Sequence, residues 1–175
     1  MFPFDSSKTG GTGGRTVFSF AALPQNIAQL QAMPESALTT PFQTAALTVA
    51  VLCRYADSVT ETIDMLNFLK GPQPLSTYET QFLRDRLAGK SYIPRSFFAG
   101  STPQNNYTPT LPYTITVLED PYTYAQEGYA KLLIQSSGAD QARPIKLRKK
   151  GAQWFLWDNF LLSDIRRPAT EDPWA

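Results

Sequence analysis

The 175-residue chain has no histidine and a single cysteine, Cys53. Without imidazole, the usual Ser-His and Cys-His nucleophile pairs and histidine-bearing zinc sites are excluded. One cysteine cannot form an intramolecular disulfide. The apolar run before it, Leu47 to Leu52, predicts a core thiol with a raised pKa instead of a reactive thiolate. A charge bias is missing too: sixteen Lys and Arg against fifteen Asp and Glu leave +1. No bulk field therefore draws the chain to nucleic acid or to an anionic membrane. The most apolar window, Ala45 to Cys53, is too short to cross a bilayer and runs straight into Arg54. The start, Met1-Phe-Pro-Phe-Asp-Ser-Ser-Lys, lacks the order of positive charge, apolar stretch and cleavage site that marks a secretory signal. With one reduced cysteine, this predicts a cytoplasmic protein that needs no metal or other cofactor.

What is present is a core: hydrophobic residues make up 42% and aromatics 13% of the chain, well outside the composition of disordered sequences. Residues 1–14 are small, polar and Gly-rich toward their end and predict a flexible leader. Gly10-Gly-Thr-Gly-Gly-Arg-Thr16 superficially matches a phosphate loop, but it has Arg instead of Lys, the wrong glycine spacing and no preceding strand. Residues 15–175 read as one α+β domain. Arg15 to Phe20 alternates as a strand with Phe18 and Phe20 on one face, and its partner must lie far along the chain.

The helical half spans 24–89. A short helix is expected over Pro24 to Ala32, stopped before Pro34. Thr40-Pro41 supplies an N-cap and a first-turn proline for a helix over Phe42 to Ala56, apolar nearly all round and so central. Ser58 with Glu61 and Ser76 with Glu79 have capping-box spacing, opening helices over Val59 to Lys70 and Thr77 to Ala88 that stop at Gly71 and Gly89. Their apolar stripes read Val59, Ile63, Leu66, Leu69 and Tyr78, Phe82, Leu83, Leu87.

Residues 90–111 carry no sustained period and predict a long loop. In the β half, 112–175, the period becomes two. Tyr113 to Leu118, Gly128 to Gln135, Ile145 to Lys149 and Trp154 to Trp157 read as strands, and Phe160 to Ile165 as another strand or a short helix. N-terminal helices on a C-terminal, mainly antiparallel curved sheet, joined by the N-terminal strand, is the expected architecture. A hairpin turn at Lys150-Gly151 would set Leu147 opposite Trp154, Ile145 opposite Leu156 and Lys146 opposite Phe155. Lys146, Arg148, Phe155 and Trp157 would then share one face, with basic side chains over aromatic rings.

The candidate recognition residues are Asn105, Asn106, Tyr107, Tyr113, Tyr122 and Tyr124, in or beside the long loop. Tyrosine combines apolar area with a hydroxyl, which suits a peptide or small polar ligand. Glu119, Asp120, Glu127 and Asp158 lie near strand ends, where paired carboxylates do acid-base work, yet they match no calcium-loop spacing. Arg143, Lys146, Arg148, Lys149 and Lys150 form a basic run that suits phosphate or a solubilised sheet edge.

Several stretches go further: Thr40-Pro-Phe-Gln-Thr-Ala-Ala-Leu-Thr-Val, Met65-Leu-Asn-Phe-Leu-Lys-Gly-Pro-Gln-Pro-Leu-Ser76, Asn105-Asn-Tyr-Thr-Pro, Pro112-Tyr-Thr-Ile-Thr-Val, Lys146-Leu-Arg-Lys-Lys-Gly-Ala-Gln-Trp-Phe-Leu-Trp157 and Asp172-Pro-Trp-Ala175. Together they resemble an uncharacterised family of bacterial proteins of unknown function. The resemblance implies a bacterial protein and supplies no catalytic residue, substrate or cofactor. The order of elements is also similar to the cone-shaped fold of nuclear transport factor 2-like proteins, with three or four helices before the sheet here. A fold shared in this way fixes no function. The sequence therefore predicts a non-enzymatic binding or interaction domain using the 91–124 loop and sheet surface, with an unknown protein or small polar ligand as partner. The alternatives are a histidine-free enzyme using carboxylates and tyrosines, and a weak nucleic-acid binder acting through the basic hairpin 143–150.

Overall fold

The structure, a computed structural model, describes residues 14–175. The leader expected over 1–14 lies outside the described residues except for Gly14. That residue already belongs to the fold: it is buried, and its carbonyl accepts the Glu119 N–H at 2.8 Å.

Five antiparallel strands form an open sheet in simple chain order: β1 (Arg15–Phe20), β2 (Tyr113–Leu118), β3 (Tyr129–Ile134), β4 (Arg143–Lys150) and β5 (Gln153–Asn159). The architecture is α+β, and the N-terminal strand joins the C-terminal sheet as the alternation of Phe18 and Phe20 requires. Phe18 faces Ile115 and Phe20 faces Tyr113 across the β1–β2 ladder. Every helix is inserted between those two neighbours.

The helices are α1 (Ile27–Ala32), α2 (Pro41–Leu52), α3 (Val59–Lys70), α4 (Thr77–Leu87) and a single turn, α5 (Tyr92–Arg95). Thr40 and Gln43 form a reciprocal capping box at the start of α2, and Ser76 and Glu79 form another on α4. At α3 only half the expected box closes: the Ser58 hydroxyl accepts the Glu61 N–H, with no return bond from the Glu61 side chain. Helix α1 starts later than Pro24 because the Asn26 side chain caps it by accepting the Gln29 N–H. Helix α2 is buried from Thr44 to Leu52 and lies across β2 to β5, with α3 and α5 against it. It ends at Leu52 instead of Ala56, and Cys53 is its partly exposed C-cap. Burial pushes the Cys53 thiol up to about 12 despite the opposing charge of Arg95, so the thiol is neutral at physiological pH.

One hydrophobic cluster takes residues from both halves, including Leu47, Leu66, Ile115, Leu132 and Leu147. The sheet also splits. β2 and β3 pair only at Leu118 and Leu133, and the gap between them is filled by residues 96–101. The Ala99 N–H donates to the Thr114 carbonyl at 2.8 Å, and the Ser137 N–H donates to the Ser96 carbonyl at 2.9 Å. The expected structureless loop over 90–111 is therefore corrected. This segment contains α5 and a 3-10 turn at Pro103–Asn105, and it buries Tyr92, Ile93, Phe97, Phe98 and Tyr107. Its contacts are with distant strands, so they leave no local period in the sequence.

The hairpin register also differs from expectation. Gly151-Ala152 forms the turn, with Lys150 opposite Gln153, Arg148 opposite Phe155 and Leu147 opposite Leu156. Gly151 has φ +62 at the first turn position, the glycine preference of a type II′ turn. The shift is even, so each side chain keeps its expected face up to a bulge at Lys146/Leu147, where Trp157 becomes the extra residue of β5. Phe160 to Ile165 forms neither strand nor helix; Arg143 holds it from below by donating to the Ser163 and Asp164 carbonyls.

Candidate functional site

The six residues singled out in the sequence do not share one surface. Asn105 is consumed by its own turn: Oδ1 accepts the Thr102 and Thr108 N–H groups, and Nδ2 donates to the Gly100 and Thr108 carbonyls. Asn106 and Tyr107 occupy left-handed backbone positions, with φ +57 and +51. The Arg95 guanidinium clamps both by donating to their carbonyls at 2.9 and 3.0 Å. Tyr107 is completely buried, stacked on Tyr92 at 5.5 Å, and its hydroxyl donates to the Arg166 carbonyl. No ligand reaches that ring, so its expected place on a recognition surface is corrected to a core position. Tyr113 is half-buried with its ring edge-on to Phe98. Of the four tyrosines only Tyr122 and Tyr124 are exposed, as are the Asn105 and Asn106 residues of the turn. Burial, then the Glu119 carboxylate, pushes the Tyr124 phenol up to about 12. Among the strand-end carboxylates, Asp120 is used in its own turn, its Oδ1 accepting the Tyr122 N–H at 2.8 Å. Among the described residues no group of three or more His, Cys, Asp and Glu is placed to hold a metal ion.

A different surface does assemble, on the outer face of β3 to β5. Residues of one parity along an antiparallel pair point to one side, and here they include Tyr129 and Lys131 on β3, Lys146 and Arg148 on β4, and Phe155 on β5, joined by the bulged Trp157, with Asp158 opposite Lys146. The Arg148 guanidinium lies 4.5 Å from the centre of the Trp157 ring and 5.4 Å from that of Tyr129. Lys146 Nζ lies 4.8 Å from the Tyr129 ring and donates to Gln126 Oε1. This is the basic-over-aromatic arrangement expected of the hairpin, with Tyr129 as a ring the sequence did not point to. Among the described residues none of Lys131, Lys146, Arg148, Lys149 and Lys150 is in an ion pair. Arg143, the first residue of the basic run, is not part of this face, because its guanidinium is spent on the carbonyls of 141, 163 and 164.

Along the outer edge of β5 lie two adjoining slots. The one nearer the hairpin, about 280 Å3, is lined by Pro72, Gln73, Arg148, Lys149, Lys150 and Phe155, among others. The other, about 400 Å3, lies between β5 and helices α3 and α4 and is lined by Leu66, Leu75, Tyr78, Phe82, Leu83 and Phe160, with Glu79 and Asp158 also at its wall. Lys70, Leu156 and Trp157 belong to both. Tyr78, expected on the buried stripe of α4, is 78% exposed, and Phe160 is 48% exposed. Tyr78 is the second residue of its helix, beyond the span that Leu83 and Leu87 anchor in the core.

Lys70 sits at the junction with its side chain only 4% exposed. Its ammonium donates to Glu79 Oε2 at 2.9 Å and to the Trp157 carbonyl at 3.3 Å. Burial works to raise the Glu79 pKa, but hydrogen bonds from Lys70 and Ser76 together with the Lys70 charge outweigh it and hold the carboxyl below its ordinary value. A carboxylate held ionised in this way is the opposite of a general acid poised near neutrality. The sign of its linkage is fixed: a depressed pKa contributes stability above the unfolded value, lost as pH falls through the folded one. Wild type should therefore lose stability relative to Glu79→Gln as pH drops below about 4.5. Urea midpoints measured from pH 7 to pH 3 check this; parallel curves for the two proteins would contradict it.

A family model described as Domain of unknown function (DUF6935) matches residues 22–169. The chain belongs to this family. No curated protein and no solved structure matches it. The match to DUF6935 agrees with the resemblance to an uncharacterised family and adds no activity to it. No helix among the described residues is long and apolar enough to cross a membrane.

Proposed function

We propose that this DUF6935 chain is a non-enzymatic interaction domain that binds an acidic segment of a partner protein on the outer face of β3 to β5. The observation that carries this reading is Arg148, its guanidinium over the Trp157 ring and near that of Tyr129, with no carboxylate paired to it among the described residues, beside four lysines that likewise make no ion pair there. A guanidinium over a ring gains a cation–π contact while keeping N–H groups for bidentate contact with a carboxylate. That contact also restrains the side chain in advance, so less rotamer entropy is lost on binding. The site is thus the sheet surface, without the loop residues Asn105, Asn106 and Tyr107. Residues 15–175 acting as one domain, and a bacterial, cytoplasmic setting, belong to the same proposal.

The test is titration with a fluorescein-labelled oligoglutamate peptide followed by anisotropy. Arg148→Glu combined with Lys146→Glu should weaken binding by about 10-fold or more, the cost of removing well-oriented charge contacts. Raising salt should weaken wild-type binding, because exposed charges are screened over a Debye length of about 8 Å at physiological ionic strength. No binding at low salt, or binding indifferent to the double variant, would refute the reading. An oligothymidylate that binds more tightly than the peptide would replace it with the nucleic-acid alternative.

A further inference from the structure

The cationic slot at the hairpin end of β5 continues into an apolar one that, among the described residues, has no free cation. Slot one carries Arg148, Lys149 and Lys150; slot two carries Tyr78, Phe82 and Phe160, and the only ammonium that the described residues place on its wall, that of Lys70, is already held by Glu79. The two share Leu156 and Trp157, so an occupant crossing from one to the other passes directly from positive charge to apolar surface. From these features, and resting on the reading above, we infer that the partner segment carries a bulky apolar anchor, aromatic or long aliphatic, next to its acidic residues. The anchor enters the slot between β5 and α4 while the carboxylates lie over the hairpin.

Charge distribution selects a protein segment as the occupant. A nucleic-acid strand carries a negative charge at every nucleotide, and a phosphate in the second slot would face the Glu79 and Asp158 carboxylates with no free cation to meet it. A peptide can place its charges at one end and its apolar side chain at the other. Spacing follows from the strand: the cationic slot is lined by Phe155 to Trp157 and the apolar one by Leu156 to Phe160, so their midpoints, Leu156 and Asp158, lie two residues apart, or about 7 Å along β5. An extended segment therefore places its anchor about two residues from its acidic cluster. Exposure supports the same anchor site: Tyr78 and Phe160 leave aromatic surface uncovered on opposite walls of one slot, where burying a large side chain is worth most.

The experiment compares two labelled octapeptides, one of glutamates with a tryptophan two residues from the acidic cluster, the other with serine in its place. Each is titrated against the wild-type chain, Arg148→Glu/Lys150→Glu and Tyr78→Ser/Phe160→Ser. The tryptophan peptide should bind wild type about 10-fold more tightly or better. That gain should vanish in Tyr78→Ser/Phe160→Ser, while Arg148→Glu/Lys150→Glu should lose both peptides. The serine comparison is made on unaltered protein, so it holds even where a variant is destabilised. Equal affinity of the two peptides for wild type, with binding still lost in the hairpin variant, would overturn the anchor and leave the anionic reading standing. Failure of both peptides to bind wild type would overturn the two together. An uncharged glutamine peptide bearing the same tryptophan and binding just as tightly would show that charge does not select the occupant, and would overturn the inference.

Discussion

Replacing Tyr107 by alanine should lower the unfolding free energy by about 3 to 5 kcal/mol, the range for emptying a large aromatic site in a packed core. The ring has no solvent exposure, stacks on Tyr92 at 5.5 Å and ends in a hydroxyl that donates to the Arg166 carbonyl. It also sits against Gly138, where an added Cβ would collide with the tyrosine hydroxyl. One side chain therefore joins α5, the turn after β3 and the C-terminal segment. Tyr107→Phe isolates the hydroxyl: it keeps the stack, leaves the Arg166 carbonyl without this donor and should cost about 0.5 to 1.5 kcal/mol. Urea denaturation of both variants checks the pair. A loss below about 1 kcal/mol for the alanine variant would mean that the 102–109 turn is peripheral. Peptide binding by Tyr107→Ala, measured below its unfolding midpoint, should stay at the wild-type level, because the ring lines neither slot beside β5.

Gly71→Ala should cost about 2 to 6 kcal/mol, from two additive causes. Gly71 ends α3 at φ +67 and ψ −125, a region in which an L side chain is strained by about 1 to 3 kcal/mol. Its absent Cβ would also overlap the Phe155 ring at Cδ1; relieving that overlap by moving a packed ring costs a further 1 to 3 kcal/mol or so. Gly89 supplies the control. It has φ +71, yet nothing lies within 4 Å of where its Cβ would be, so Gly89→Ala should show only the backbone part, about 1 to 2 kcal/mol. The difference between the two variants measures how firmly the end of α3 fixes Phe155. Because Phe155 lines the cationic slot, Gly71→Ala should also weaken oligoglutamate binding, whereas Gly89→Ala should not. Equal destabilisation by the two substitutions would show that Phe155 yields freely.

Much of the fold was legible in the sequence because it rests on local chemistry. Thr40-Pro41 and Ser76 with Glu79 cap helices through bonds spanning three residues, and Gly71 stops one through its backbone alone. The alternation of Phe18 and Phe20 required a strand with a distant partner, which β2 supplies. Face assignment in the β4–β5 hairpin survived a wrong register because the error was even, and an even shift preserves parity. The 90–111 segment was misread for the converse reason. Its order comes from Arg95 reaching carbonyls eleven and twelve residues away and from Ala99 pairing with Thr114, contacts with no local period.

The candidate site divides along the same line. Composition and pattern determined the absence of imidazole, the central helix and a hairpin face where cations meet rings, since each is set by residue type or by spacing within one element. Only tertiary structure decided which rings those cations use, that Tyr107 faces inward while Tyr78 faces outward, and that Lys70 and Glu79 meet at the junction of two slots. Those outcomes depend on how α3 and α4 dock against the edge of β5 and on how the 90–111 segment packs between β2, the turn after β3 and the C-terminal segment. Docking is fixed by summed packing over residues far apart in the chain, so no single segment encodes it.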